Sequence, residues 1–295
     1  MHKLSTTTQN AAAVRRAYLS GMLGIVGFSL TLPATRLAVM DLDPVFVGLG
    51  RAVAASILAA VALLMVNARL PSKREWLRLG ATATGVVIGF PLLSALAMQS
   101  VSAIHAAVIV GLAPLFTAWF GVRLSGERPS RRFWLATTVG SMAILVFVAL
   151  SGAGTLQTAD LYLLAAVLCA AFGYAEGARL TKELGAWQTI SWALLAATPL
   201  LLPWVAMAAP ASFNQVGWLS WSGFAYVSVV SMYLAFCAWY RGLSLGGTAR
   251  IGQLQLLQPF LTMVAGATLM GESLQPLQLA TALIVVSCVM VGGKR

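Results

Sequence analysis

Apolar residues in this chain come in long blocks, separated by short polar gaps. A helix rises about 1.5 Å per residue, so about 20 mostly apolar residues cross the hydrocarbon core of a bilayer. Ten blocks meet that length, at roughly 17–39, 44–67, 76–98, 102–123, 131–150, 159–181, 187–207, 216–240, 246–270 and 275–293. They predict ten transmembrane helices and an all-α integral membrane protein. The short gaps predict antiparallel neighbours in sequence. Pro44, Pro71, Pro129 and Pro276 fall at or near block ends, where a missing backbone donor costs little. Residues 1–16 are polar and carry His2, Lys3, Arg15 and Arg16. The first block lacks a small-residue cleavage pattern and many others follow it, so the stretch before it reads as a cytoplasmic tail and not a signal peptide.

The polar gaps give the blocks a direction. Of the 19 basic residues, 17 fall in every second gap or in the tails. They are Lys3, Arg15 and Arg16; Arg69, Lys73, Arg74 and Arg78; Arg123, Arg128, Arg131 and Arg132; Arg179 and Lys182; Arg241 and Arg250; Lys294 and Arg295. The opposite side keeps Arg36, near the end of the first span, and Arg51 lies inside the second. Basic residues accumulate on the cytoplasmic side of membrane proteins, which predicts both termini in the cytoplasm.

The two halves of the chain repeat. A shift of 145 brings Pro114 onto Pro259, Gly126 onto Gly271 and Glu127 onto Glu272, and a shift of 143 brings Arg36-Leu37 onto Arg179-Leu180. The expected units are a tail at 1–16, a first five-helix repeat at 17–150 and a second at 151–293. Five is an odd number, so the second copy enters the membrane from the other side. The gap after the fourth span is basic and its counterpart after the ninth is not, as inversion requires. Inverted repeats of this kind build many secondary transporters.

Composition narrows the function. Of the 295 residues, 59% are hydrophobic and 9% are charged, with a mean hydropathy of +0.86. A soluble protein carries about 25% charged residues. The net charge of +11 forms no contiguous basic domain, which speaks against nucleic acid and for contact with anionic lipid. Cys169, Cys237 and Cys288 all sit inside apolar blocks and read as small hydrophobes. There is no catalytic set, no metal-binding pattern, no cofactor motif and no phosphate-cradling loop, so a gradient should drive any transport. The acidic residues are eight and mostly isolated, which disfavours a membrane-embedded enzyme. A channel remains a further reading.

Two helix-long patterns carry a family resemblance over about residues 17–293. One is Ser102-Ala103-Ile104-His105-Ala106-Ala107, then Pro114-Leu115, then Gly126-Glu127. The other is Thr248-Ala249-Arg250, then Gln258-Pro259-Phe260, then Gly271-Glu272. With Arg36 and Arg179, they resemble the ten-helix EamA-type carriers of the drug/metabolite transporter superfamily. The chain departs from that pattern at Phe28-Ser29, where many members have Trp-Gly. Within the superfamily it looks most like exporters of aromatic and other neutral amino acids. The resemblance implies a small-molecule cargo, surrounding membrane lipids as partners, a bacterial inner membrane and a monomer or homodimer. It also implies a central cavity bounded by spans 1, 3, 4, 6, 8 and 9, with spans 5 and 10 as scaffold or dimer contact. Drugs, purines or sugars are the alternative cargoes.

Polar groups at membrane depth are costly and mark candidates. His105 either helps bind a carboxylate or relays a proton, or else packs as a neutral histidine. Glu176 lies three residues before Arg179, so the two share a helix face and can pair. That is either a structural ion pair or a coupling carboxylate. Gln255 and Gln258 share a face beside Pro259, whose missing donor frees a carbonyl one turn earlier. They either hydrogen-bond a zwitterion or stitch helices together, with Gln253 nearby. Tyr226, Tyr233 and Tyr240 recur every seven residues, close to Phe236 and Trp239, and line an aromatic path or sit at the interfaces. Phe28, Phe90, Ser94 and Tyr174 are added from the spans expected around the cavity. Gly173, with Pro114 and Pro259, is the expected hinge set, and Gly85, Gly89 and Gly266 are further bending points. Glu127 and Glu272 are expected to fix helix ends.

Overall fold

The structure, a computed structural model, describes residues 2–151, 157–273 and 276–292. Among the described residues every regular element is helical. The first half contains α1 (His2–Ser29), α2 (Thr31–Ala38), α3 (Pro44–Met65), α4 (Lys73–Ala83), α5 (Phe90–Ala97), α6 (Ala103–Val110), α7 (Ala113–Ser125) and α8 (Arg131–Ser151). The second half contains α9 (Thr158–Leu184), α10 (Ala186–Met207), α11 (Trp218–Ala225), α12 (Ala235–Gly246), α13 (Thr248–Gly252), α14 (Gln258–Met270) and α15 (Pro276–Gly292). Among the described residues, seven helices are long and apolar enough to cross a membrane: Ala12–Ala38, Pro44–Met65, Lys73–Ala97, Ala103–Ser125, Thr158–Leu184, Ala186–Met207 and Trp218–Gly246. The blocks expected at 131–150, 246–270 and 275–293 are also helical, as α8, α13 to α14, and α15. Lys294 and Arg295 lie outside the described residues. α1 starts at His2, so the helix takes in the polar stretch at 2–16, which holds no proline or glycine.

Local chemistry sets the helix ends. Asp43 accepts from the backbone N–H of Val45 (2.7 Å) and Phe46 (3.4 Å), and Pro44 occupies the first turn of α3, where its missing donor does no harm. Ser72 and Glu75 form a reciprocal capping box on α4. Ser102 accepts from the His105 N–H at the start of α6. α7 and α14 both end on a left-handed glycine, Gly126 and Gly271, each with φ of 65°.

The irregular turns repeat along with the sequence. A π turn at Thr84–Gly89 joins α4 to α5, and another at Tyr226–Leu234 joins α11 to α12. α6 breaks at Gly111-Leu112 before Pro114, and a 3-10 turn at Gln253–Leu257 precedes Pro259. Each break falls where a proline within the helix withholds a donor. The packing repeats with partners exchanged: α1 of the first half runs along α12 of the second, and α9 of the second runs along α5 and the first π turn of the first. α3 packs on α10 and α8 on α15, each joining equivalent elements. The crossing of α9 with the first π turn is tight. A Cβ at Gly85 would lie 2.5 Å from the Cys169 carbonyl oxygen, and one at Gly173 would lie 3.0 Å from the Val86 nitrogen. Small residues let backbones approach this closely in a membrane, where apolar burial between helices contributes little.

Glu127 and Glu272 do fix helix ends, but each acts on the opposite repeat. Glu127 accepts from the N–H of Thr248 (2.7 Å) and Ala249 (2.6 Å), at the start of α13. Glu272 accepts from the N–H of Ala103 and Ile104, both at 3.1 Å, at the start of α6. The end of α7 therefore meets the start of α13, and the end of α14 meets the start of α6. The two broken helices run antiparallel.

Candidate substrate cavity

A cavity lies between the two halves, and its walls follow from the breaks just described. Phe28 and Thr31 approach it from either side of the α1–α2 break. That break has a cause: Pro33 has no N–H to give the Ser29 carbonyl, which instead accepts from the Thr262 hydroxyl at 2.7 Å. Val86 and Phe90 enter from the first π turn and α5, and Ser231, Met232 and Phe236 from the second π turn and α12. Tyr174 of α9 and Gln258 at the start of α14 complete the ring around Arg51 of α3. π turns recur at functional sites because they displace side chains from the regular helical face.

The walls are aromatic. Phe28 meets Phe236 edge-on, with ring centroids 4.9 Å apart, and lies 6.3 Å from Tyr174 in a stacked arrangement. Trp239 is fully buried behind them and packs edge-on against both Phe28 and Tyr174. The cavity volume is about 10 Å³, room for about one water molecule. Sites for small organic ligands span about 300–1,000 Å³, so helices must part before an organic cargo can fill this one. Thr31 and Ser231 close it on one side with a hydroxyl pair at 2.8 Å.

Arg51 is the one basic residue of this ring. Its side chain is only 1% exposed. Its Nη2 lies 3.5 Å from Ser94 Oγ, and its Nε has no hydrogen-bond partner among the described residues. A central arginine adds about 2.5–3.5 kcal/mol to the cost of inserting a membrane helix.

The sequence-selected residues separate into groups. Phe28, Phe90, Tyr174 and Gln258 line the cavity, while Ser94 touches its arginine and Trp239 backs its rings. Tyr233 lies away from it, with its hydroxyl 3.1 Å from Ser191 Oγ. Gln255 donates to Thr117 Oγ1 at 3.3 Å. Tyr226 donates to the Gly27 carbonyl and Tyr240 to that of Gly173, each at 3.0 Å. His105 Nε2 lies 2.7 Å from Asp160 Oδ1, and Asp160 also caps the start of α9 by accepting from the Gln157 N–H at 3.0 Å. Glu176 sits between two arginines, accepting from Arg78 Nε at 2.6 Å and Arg179 Nη1 at 2.9 Å. Arg78 also pairs with Glu183, and Arg69 forks onto Glu75. Gly173 lies within the unbroken α9, while Pro114 and Pro259 open α7 and α14 just after breaks. Sequence reasoning passed over Arg51, Thr31 and Ser231. For Arg51 the signal was present, as a lone arginine inside an apolar block. Thr31 and Ser231 carry none, because small hydroxyls are common in membrane helices.

Comparison with known proteins gives the cavity a context. A sequence profile described as the EamA-like transporter family matches residues 15–149 and again residues 157–292. A Bacillus subtilis (strain 168) protein named "Uncharacterized transporter YdeK" is 44% identical over 272 residues, covering 92% of this chain and 95% of that one. A solved crystal structure of a protein 16% identical superposes with a TM-score of 0.74, over 94% of this chain and 97% of the other. At that identity the likeness concerns the fold alone.

Proposed function

Because the chain belongs to the EamA-like transporter family, we propose that it is a secondary transporter that exports small neutral amino acids, including aromatic ones, across the bacterial inner (plasma) membrane. It crosses the membrane ten times as two inverted five-helix repeats, residues 17–150 and 151–293, with both termini in the cytoplasm. The observation that carries the cargo reading is the aromatic chamber of Phe28, Phe90, Tyr174 and Phe236 around Arg51. Aromatic walls suit an apolar side chain, and the polar groups among them can hydrogen-bond the polar end of the cargo. The chamber is lined from both halves of the chain, and transporters of inverted-repeat design hold their cargo at the interface between repeats. Alternating access follows as the mechanism: one set of helices rocks against the other, and the chamber opens to each side in turn. The breaks beside Pro33, Pro114 and Pro259 are the places where that motion needs least distortion. Gly173, tightly packed against Val86, is a contact across which α9 can slide.

The test is uptake into liposomes containing the purified protein, with labelled phenylalanine, threonine and methionine, with and without a pH gradient. Saturable uptake of phenylalanine that unlabelled phenylalanine inside the vesicles accelerates is the expected result. Uptake that needs the gradient would make Glu176 and His105 the first residues to change. Folded protein that moves none of the three would sink the amino-acid reading in favour of drugs or other metabolites.

A further inference from the structure

The chamber holds a fixed positive charge with no ion-pair partner among the described residues. Arg51 keeps its charge at physiological pH, and among the described residues no carboxylate lies within 4.0 Å of it. Its Nε is unpartnered among the described residues and its contact with Ser94 is long. The acid closest along the chain to the chamber wall is Glu176, two residues from Tyr174. Both its oxygens are taken, one by Arg78 and the other by Arg179. The chamber thus offers a guanidinium fork to an anion, and hydroxyls and an amide to anything else. A planar fork matches a carboxylate in two parallel hydrogen bonds. An ammonium group there would be repelled by Arg51 and would find no acid.

Taking the chamber to be the cargo site, we propose that Arg51 anchors the carboxylate of the cargo, and that the chamber selects compact aromatic or apolar carboxylates with the amino group dispensable. An amino acid fits through its carboxylate. A deaminated analogue fits nearly as well, and a decarboxylated one does not.

Three probes separate the possibilities: phenylalanine, 3-phenylpropanoate, which lacks the amine, and phenethylamine, which lacks the carboxylate. Their effects on the thermal midpoint of the purified full-length protein are measured for the wild type, Arg51→Lys and Arg51→Gln, alongside competition in the liposome assay. In the wild type, 3-phenylpropanoate should bind within about tenfold of phenylalanine, and phenethylamine about 100-fold more weakly or not at all. Arg51→Gln should weaken both carboxylates by about 10- to 100-fold, and Arg51→Lys by less. Equal response to the acid and the amine, or to neither, overturns the proposal. So does a folded Arg51→Gln that still prefers the carboxylate. Should Arg51→Gln fail to fold, the wild-type comparison decides alone. Amino-acid transport without the carboxylate preference would end this inference and leave the transport reading intact. Carboxylate stabilisation that Arg51→Gln abolishes, in a protein that moves no amino acid, would do the reverse.

Discussion

At the scale of the residue, Glu176 and Arg51 are two buried charges under opposite conditions. Glu176 is 6% exposed and holds Arg78 and Arg179 together. Arg51 has no such partner. Removing one member of a buried pair leaves an uncompensated charge, at a cost of about 3–5 kcal/mol when burial is complete. The Arg78 side chain is 14% exposed, so the loss in Glu176→Gln should be somewhat smaller, about 2–3 kcal/mol. Arg179 is 37% exposed, and Arg179→Gln should cost under about 1 kcal/mol. Thermal unfolding of the two variants checks this ordering. A Glu176→Gln protein as stable as the wild type, with its transport altered only in pH response, would move Glu176 from a structural to a coupling role.

At the scale of the element, the broken helices are held by carboxylates that cross between repeats. Each replaces backbone partners that the first turn of a helix lacks. Glu127→Ala frees two N–H groups at the start of α13, and Glu272→Ala frees two at the start of α6. Loss of a cap costs about 0.5–2 kcal/mol. The two caps sit at opposite ends of the antiparallel pair, so the double variant should lose the sum of the single losses within about 0.5 kcal/mol. Thermal midpoints of the three proteins measure this. A double loss far from the sum would mean that the two caps belong to one coupled latch and not to two independent helix ends.

At the scale of the whole molecule, the proposed direction in the membrane rests on charge. Arg128 lies in the gap between α7 and α8, with Arg123, Arg131 and Arg132 near it, while the gap that holds Ser212, between α10 and α11, carries no basic residue. In intact cells, Ser212→Cys should react with a membrane-impermeant thiol reagent, and Arg128→Cys should react only once the membrane is opened. Cys169, Cys237 and Cys288 are partly buried and give a low background. The reverse labelling pattern would invert the assignment of sides, and with it the direction of export.

The apolar blocks, the basic gaps and the 145-residue shift were legible in the chain alone, because a bilayer leaves no alternative to long apolar helices and the cytoplasmic side collects basic residues. The repeated Gly-Glu ends and the helix-opening prolines were legible as well. What the sequence left open was who meets whom. The i,i+3 spacing offered Arg179 to Glu176, but Arg78 arrives from another helix. His105 had no partner within reach along its own helix, and folding brings it to Asp160. Gln255 and Gln258 share a helical face, yet the 3-10 turn before Pro259 leaves one at Thr117 and the other in the cavity. Arg51 was visible as an oddity, and only folding brought it into one cavity lining with two π turns and residues of α1, α2, α5, α9, α12 and α14. Periodicity and composition act along one helix at a time, whereas a chamber made by six or more segments exists only once their backbones have packed.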